Sequence, residues 1–168
     1  MAKCYPTFIL KNCTLYADRE NRMGQVSEIT TPDIETVTVE FLNGGMVKKR
    51  EVDMGVLNAL TLGFKETAID PGMLKLLNKP DTEYMAVGVL RDADGGNHQD
   101  AVLYFRGDMK KLAMGSWKAG EKSEVDYEIS AHYLKLEIGD DEIYELTDCD
   151  TKIGGESIYG YSDSMLHG

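Results

Sequence analysis

Residues 124–138 read Glu-Val-Asp-Tyr-Glu-Ile-Ser-Ala-His-Tyr-Leu-Lys-Leu-Glu-Ile, and this stretch decides the fold class. Val125, Tyr127, Ile129, Ala131 and Tyr133 alternate with Glu124, Asp126, Glu128, Ser130 and His132. Successive side chains of an extended chain point to opposite faces, so a period of two describes a strand with one face on a core and the other in solvent. Leu134, Leu136 and Ile138 continue the apolar series one residue out of phase, so a bulge or bend is expected after Tyr133. Gly139-Asp140-Asp141 then turns the chain into Glu142–Leu146, where Ile143 and Glu145 oppose Tyr144 and Leu146.

Moving outward, the same alternation recurs. Val37, Val39 and Phe41 oppose Thr36, Thr38 and Glu40, which predicts a half-buried strand over Thr36–Leu42. Leu60, Leu62 and Phe64 oppose Thr61, Gly63 and Lys65. Met85–Asp92 and Gln99–Met109 flank Ala93-Asp94-Gly95-Gly96-Asn97, a hairpin signal. Cys4–Ala17 is prone to extended structure and breaks at the charged turn Asp18–Gly24, and Val26–Thr31 stops at Pro32, which cannot donate to a ladder. Between two strands, Asn43-Gly44-Gly45-Met46 opens a segment that passes through Lys48-Lys49-Arg50 to Asp53 and reads as a long loop. One short helix is predicted, Pro71–Asn78, with Asp70 as N-cap, proline at the first helical position, and an apolar side made by Met73, Leu74, Leu76 and Leu77. Many strands, short turns and one helix describe a mostly β chain: an antiparallel barrel or sandwich, one domain across all 168 residues.

Composition narrows the function. Eighteen Lys and Arg stand against 29 Asp and Glu, a net charge of −11, so nucleic acid phosphates and anionic membranes are repelled at long range, which argues against a sequence-reading DNA binder. No apolar run approaches the ~18 residues of a membrane span, and the first residues lack the apolar region of a secretory signal. Cys4, Cys13 and Cys149 are odd in number and widely spaced, which suits synthesis in a reducing cytosol. The acidic balance is uneven: Glu121–Asp150 carries 11 carboxylates against Lys122 and Lys135. The densest basic cluster is Lys48-Lys49-Arg50. An acidic face and a basic loop on one small domain suggest head-to-tail self-association, which makes rings or filaments; the plainer alternative is a solvated hairpin tip.

Catalysis finds little support. The chain has no phosphate-binding GxxxxGK[ST] loop, no GxGxxG, no HExxH and no GxSxG, and no cofactor is expected. His98, His132 and His167 lack ligand spacing, and His132 on a polar strand face reads as solvated or hydrogen-bonded rather than metal-bound. Asp92-Ala93-Asp94-Gly95 starts like a calcium loop but has no closing glutamate, so it reads as a hairpin turn. Trp117, the single tryptophan, follows Gly115-Ser116 and reads equally as a packing anchor at the core edge or as an interface anchor.

Arg106-Gly107, the block Gly115-Ser116-Trp117-Lys118-Ala119-Gly120-Glu121-Lys122, Tyr133–Glu137 and Asp141–Glu145 together resemble the major tail tube proteins of contractile-tailed phages of the P2 type, a family shared with R-type bacteriocin tubes. Asn43-Gly44-Gly45-Met46 with Val52-Asp53-Met54-Gly55 supplies a second block of resemblance. The chain departs from the family at Thr31-Pro32-Asp33-Ile34, where an acid replaces a base, and in its more basic Lys48–Arg50 segment.

The resemblance implies hexameric rings whose strands close into one ring-wide barrel. The rings stack helically inside a sheath, and the lumen conducts the genome without binding it. Implied partners are further copies of the chain, the sheath protein, a tape measure protein, and baseplate and tail terminator proteins. The implied location is the virion tail, assembled in the host bacterial cytoplasm. On this footing the lumen is expected to be lined by Glu28, Thr36, Thr38 and Glu40, with Thr61 and Lys65 on a neighbouring strand. The Glu124-Asp126-Glu128 face is the rival. Asn43, Gly44, Gly45, Met46, Lys48, Lys49, Arg50 and Asp53 are expected to reach an adjacent ring or subunit. Two alternatives share the strand pattern: a small-ligand carrier with an interior pocket, and the ring protein of a type VI secretion apparatus.

Overall fold

The computed structural model describes residues 8–67, 69–92 and 98–159. Cys4, the turn at 93–97, residues 160–168 and with them His167 lie outside the described residues. The strands are β1 (Phe8–Ala17), β2 (Glu20–Asn21), β3 (Val26–Thr30), β4 (Thr36–Phe41), β5 (Arg50–Leu57), β6 (Leu60–Glu66), β7 (Thr82–Asp92), β8 (His98–Ala113), β9 (Val125–Ile138), β10 (Asp141–Leu146), β11 (Thr151–Ile153) and β12 (Glu156–Tyr159). All of the ladders are antiparallel.

The long strands β8 and β9 organise everything else. They pair along nearly their whole length, from Ala101 opposite Ile138 to Ala113 opposite Asp126. Halfway along, both exchange outer partners. β9 pairs with β6 from Val125 to Ala131 and with β10 from Leu134 to Ile138, and β7 meets β8 only from His98 to Gly107. One half-sheet is therefore β3-β6-β9-β8, and the other is β1-β7-β8-β9-β10, extended by β11 and β12.

The change of partner falls at a bulge. Arg106 lies opposite Tyr133 and Gly107 opposite Ala131, so His132 is the extra residue of β9. The predicted phase shift is real but begins one residue earlier, which moves Tyr133 onto the face of Lys135 and Glu137 instead of the Val125 face. Gly107 makes the close approach possible: a Cβ there would stand 2.0 Å from the Ser130 carbonyl oxygen.

Bending brings the two half-sheets over a shared core. Leu62, Phe64, Val125, Tyr127 and Ile129 come from one half, and Leu15, Ala17, Tyr84, Phe105 and Leu134 from the other. An aromatic chain joins them: Tyr127 stacks on Phe64 at 4.7 Å, Phe64 meets Tyr84 at 6.2 Å, and Tyr84 stacks on Phe105 at 5.1 Å. Met73 and Leu76 add the helical contribution to this core. The helix α1 (Pro71–Leu74) begins as predicted, with the Asp70 carboxylate accepting from the Gly72 amide at 2.9 Å, and it tightens to a 3-10 turn over Lys75–Asn78.

One carboxylate sits inside. Glu66 is fully buried, and the Tyr127 hydroxyl donates to its Oε2 at 3.0 Å. Burial raises its pKa above the ordinary glutamate value, and the same desolvation, with the carboxylate beside it, raises that of Tyr127. Nearby Arg22 bonds Asp70 and reaches Glu20 at 2.7 Å, tying the β2–β3 loop to the helix start.

Candidate assembly surfaces

β4 and β5 form a two-stranded sheet that pairs with no other strand among the described residues. The sequence predicts a long loop over Asn43–Asp53. The structure starts β5 at Arg50, so Arg50 and Asp53 are strand residues and the loop is shortened to residues 42–49, turning at Gly45 with φ 85°. Sequence reasoning missed this strand although Val52, Met54 and Val56 alternate. The predicted half-buried face of β4 is present in part, with Val37 and Phe41 half-buried. Val39 lies opposite Val52, yet both remain exposed, as do Met54 and Val56, and Val47 at the tip is wholly exposed. An isolated two-stranded hairpin is marginal in water, and among the described residues nothing covers the exposed Val39, Val52, Met54 and Val56.

The tip is basic, with Lys49 3.0 Å from Glu40 across the hairpin and Lys48 and Arg50 exposed on either side in sequence. Asp53 receives the Gly55 amide at 2.8 Å, which fixes a bulge where the β4–β5 register shifts.

The six residues expected on one lumen face do not share a sheet. Thr36, Thr38 and Glu40 belong to the hairpin, whereas Glu28 is on β3 and Thr61 and Lys65 are on β6. The neighbour of Thr61 and Lys65 is β3, not β4. The reason is the Pro32–Glu35 connection, which takes the chain out of the main sheet before β4 begins.

The rival acidic face joins the main-sheet residues. In the ladder Lys65 lies opposite Asp126 and Thr61 opposite Ser130, so Glu28, Thr61, Lys65, Asp126 and Glu128 lie on one outer face. Its charges interleave: Lys65 is 3.6 Å from Glu28, Lys111 is 3.9 Å from Glu128, and the Lys110 ammonium donates to the Thr61 hydroxyl at 2.9 Å. This face is thus more nearly balanced than a count of its acids suggests.

At the bend the imidazole of His132 is 3.0 Å from Asp108, whose other oxygen accepts the Asp81 amide at 2.7 Å. The hydrogen bond to Asp108 raises the His132 pKa, and the Asp81 amide, with the imidazole, lowers that of Asp108. His132 is hydrogen-bonded and exposed, as expected. Trp117 is 69% exposed in the β8–β9 connection, which removes the packing-anchor alternative. Among the described residues no group of three or more His, Cys, Asp or Glu side chains is placed to hold a metal ion, and no helix is long and apolar enough to cross a membrane.

The described residues thus form a bent antiparallel β-sandwich with a separate two-stranded hairpin and an exposed tryptophan, a β-class architecture with no helix beyond the short one at Pro71. Residues 7–159 match the family described as phage tail tube protein FII, and the chain belongs to that family. It is a structural tube protein of contractile tail systems.

A curated relative is the major tail tube protein of Serratia phage KSP20, 25% identical over 138 residues, which cover 82% of this chain and 81% of the relative. The fold also resembles a chain of the PVC extracellular contractile injection system in its sheath–tube complex, at TM-score 0.58 and 10% identity, covering 78% of this chain and 91% of the other. The tube-terminating cap of the anti-feeding prophage gives TM-score 0.59 and 14% identity, with 82% and 94% covered.

Proposed function

We propose that the chain polymerises as stacked hexameric rings into a hollow tube that conducts phage DNA, with the β4–β5 hairpin crossing to a neighbouring subunit. The observation that carries this is the hairpin itself: Val39, Val52 and Met54 on its strands and Val47 at its tip are exposed, and among the described residues its sheet pairs with no other strand. Burial of that face against another copy supplies the hydrophobic stabilisation the monomer lacks. Open edges of the main sheet then find partners in a ring-wide barrel.

The lumen is assigned to the outer face bearing Glu28, Thr61, Lys65, Asp126 and Glu128, and the hairpin residues Thr36, Thr38 and Glu40 to the contact region. Carboxylates within a Debye length of ~8 Å of the wall repel phosphates, while the interleaved lysines are held by them, so DNA slides without a site to grip. Trp117 is assigned to an interface. By family resemblance and by the sheath and cap assemblies of the structural neighbours, the tube is sheathed outside and capped at its end, with length set by a tape measure protein. No catalytic role is assigned.

Negative-stain electron microscopy of the purified protein over a range of concentration and salt tests this reading. Rings or tubes of uniform width with a stain-filled channel are expected. A particle of about 19 kDa that never associates at any concentration contradicts it.

A further inference from the structure

The half-sheet β1-β7-β8-β9 carries a groove of about 680 Å³ on its outer face, away from the core. Tyr16, Tyr104 and Tyr133 line it. The cross-strand register makes them neighbours: Tyr16 and Tyr104 both lie opposite Met85, and Tyr133 lies opposite Arg106. Nothing in the core account uses these three rings. Tyrosine supplies large contact area at low entropic cost and is enriched where interfaces concentrate their energy.

The β9–β10 flank of this groove is electrostatically unfavourable as it stands. Glu137 and Glu142 lie directly opposite each other in the ladder, and Glu145 lies opposite Lys135. Like charges directly opposite destabilise a pair of strands. Lys135, 3.0 Å from Glu137, offsets one of the three carboxylates. Burial first of all raises the Tyr133 pKa, and the nearby Glu145, Glu142 and Glu137 push it the same way against Lys135. On the far flank Arg106 is held 3.1 Å from Asp81 and is not spent on these acids.

A cation supplied from outside removes this repulsion, and among the described residues the β4–β5 tip is an exposed projection that is both apolar and basic. The hairpin tip presents Met46 and Val47 next to Lys48, Lys49 and Arg50. We infer that the tyrosine-lined groove is the receptor for the β4–β5 hairpin tip of a second copy, with Val47 against the rings and Lys48 and Arg50 against Glu137 and Glu142. The inference rests on the tube reading and names the two surfaces of its heterologous contact. Such a contact is head-to-tail by construction, because tip and groove are different surfaces of one chain, and it propagates into rings or filaments.

The test is a charge swap read by sedimentation and negative-stain microscopy. Lys48→Glu with Arg50→Glu, and separately Glu137→Lys with Glu142→Lys, should each raise the critical concentration for assembly at least tenfold. Combining the four should return it to within about threefold of wild type. Because the groove pair could disturb the strand, Glu142→Gln alone is the second variant. It should raise the melting temperature of the unassembled protein while raising the critical concentration, a combination a purely structural role does not produce.

Wild-type assembly with a groove variant that assembles equally well, or a fourfold variant no better than either pair, overturns the receptor assignment and leaves the tube reading standing. Wild-type protein that never assembles overturns the tube reading and the assignment with it.

Discussion

Gly107→Ala attacks the bend on which both half-sheets depend. The added Cβ would lie 2.0 Å from the Ser130 carbonyl oxygen, 2.8 Å from its carbon and 2.9 Å from the Ala131 Cα, all backbone atoms that cannot rotate away. Relief requires β8 and β9 to separate by about 1 Å, which stretches ladder bonds from about 2.9 to about 3.9 Å, beyond hydrogen-bond range. Leaving two such buried groups unpaired, at about 1–3 kcal/mol each, gives a loss of about 3 kcal/mol or more. For a domain of this size that is a fall in melting temperature of roughly 6–12 °C.

Two other strand glycines calibrate the argument. At Gly88 the added Cβ meets only the Leu10 Cδ1, at 2.7 Å, a side-chain end that can swing aside. At Gly63 the nearest atoms are at ordinary contact distances, 3.5 Å and beyond. Gly63→Ala should be neutral or stabilising by up to about 1 kcal/mol, since glycine weakens a strand interior. The expected order of stability is therefore Gly63→Ala, Gly88→Ala, Gly107→Ala, measured by thermal and urea melts. A Gly107→Ala protein melting within about 2 °C of wild type, or one more stable than Gly88→Ala, refutes the close-approach reasoning.

Other perturbations follow from the same structure. His132 should titrate above its ordinary 6.5 by NMR and fall back in Asp108→Asn. Because its folded pKa is raised, its stabilisation is full below the unfolded value and is lost as pH rises through the folded one. Asp108, lowered from 3.8, loses its share as pH falls through its folded pKa, so the pair braces the bend between those limits. Buried Glu66, raised from 4.5, should cost wild type stability as pH rises from its unfolded value through its folded one. Glu66→Gln should flatten that slope in melts at a series of pH values, and an unchanged slope would show the carboxyl is not the source. Val47→Asp at the wholly exposed tip should leave the melting temperature within about 1 °C, as surface changes do, yet abolish polymers seen by microscopy.

The fold was largely legible because burial writes itself into alternation. β6 and β9 each bury one face, and their apolar residues read directly as strands. β5 was not legible as a strand because a bulge at Gly55 breaks the run Val52, Met54 and Val56, and because most of the strand is exposed, with Leu57 at its end packing against the core. The site was legible only as ingredients. Sequence alone lists Glu28, Lys65, Asp126 and Glu128 but not which strands are neighbours, so one face was read as two rivals, and residues of a separate hairpin were joined to it. The tyrosine groove was invisible for a related reason: the bulge at His132 turns Tyr133 onto the outer face that also carries Tyr104.

The most direct measurement is a cryo-electron microscopy reconstruction of tubes grown from the purified protein. The account predicts six subunits per ring and a hollow lumen faced by Glu28, Lys65 and Glu128, with every β4–β5 hairpin covered by a neighbouring subunit. A tube whose hairpins stand free in solvent, or whose lumen is faced by other strands, contradicts it.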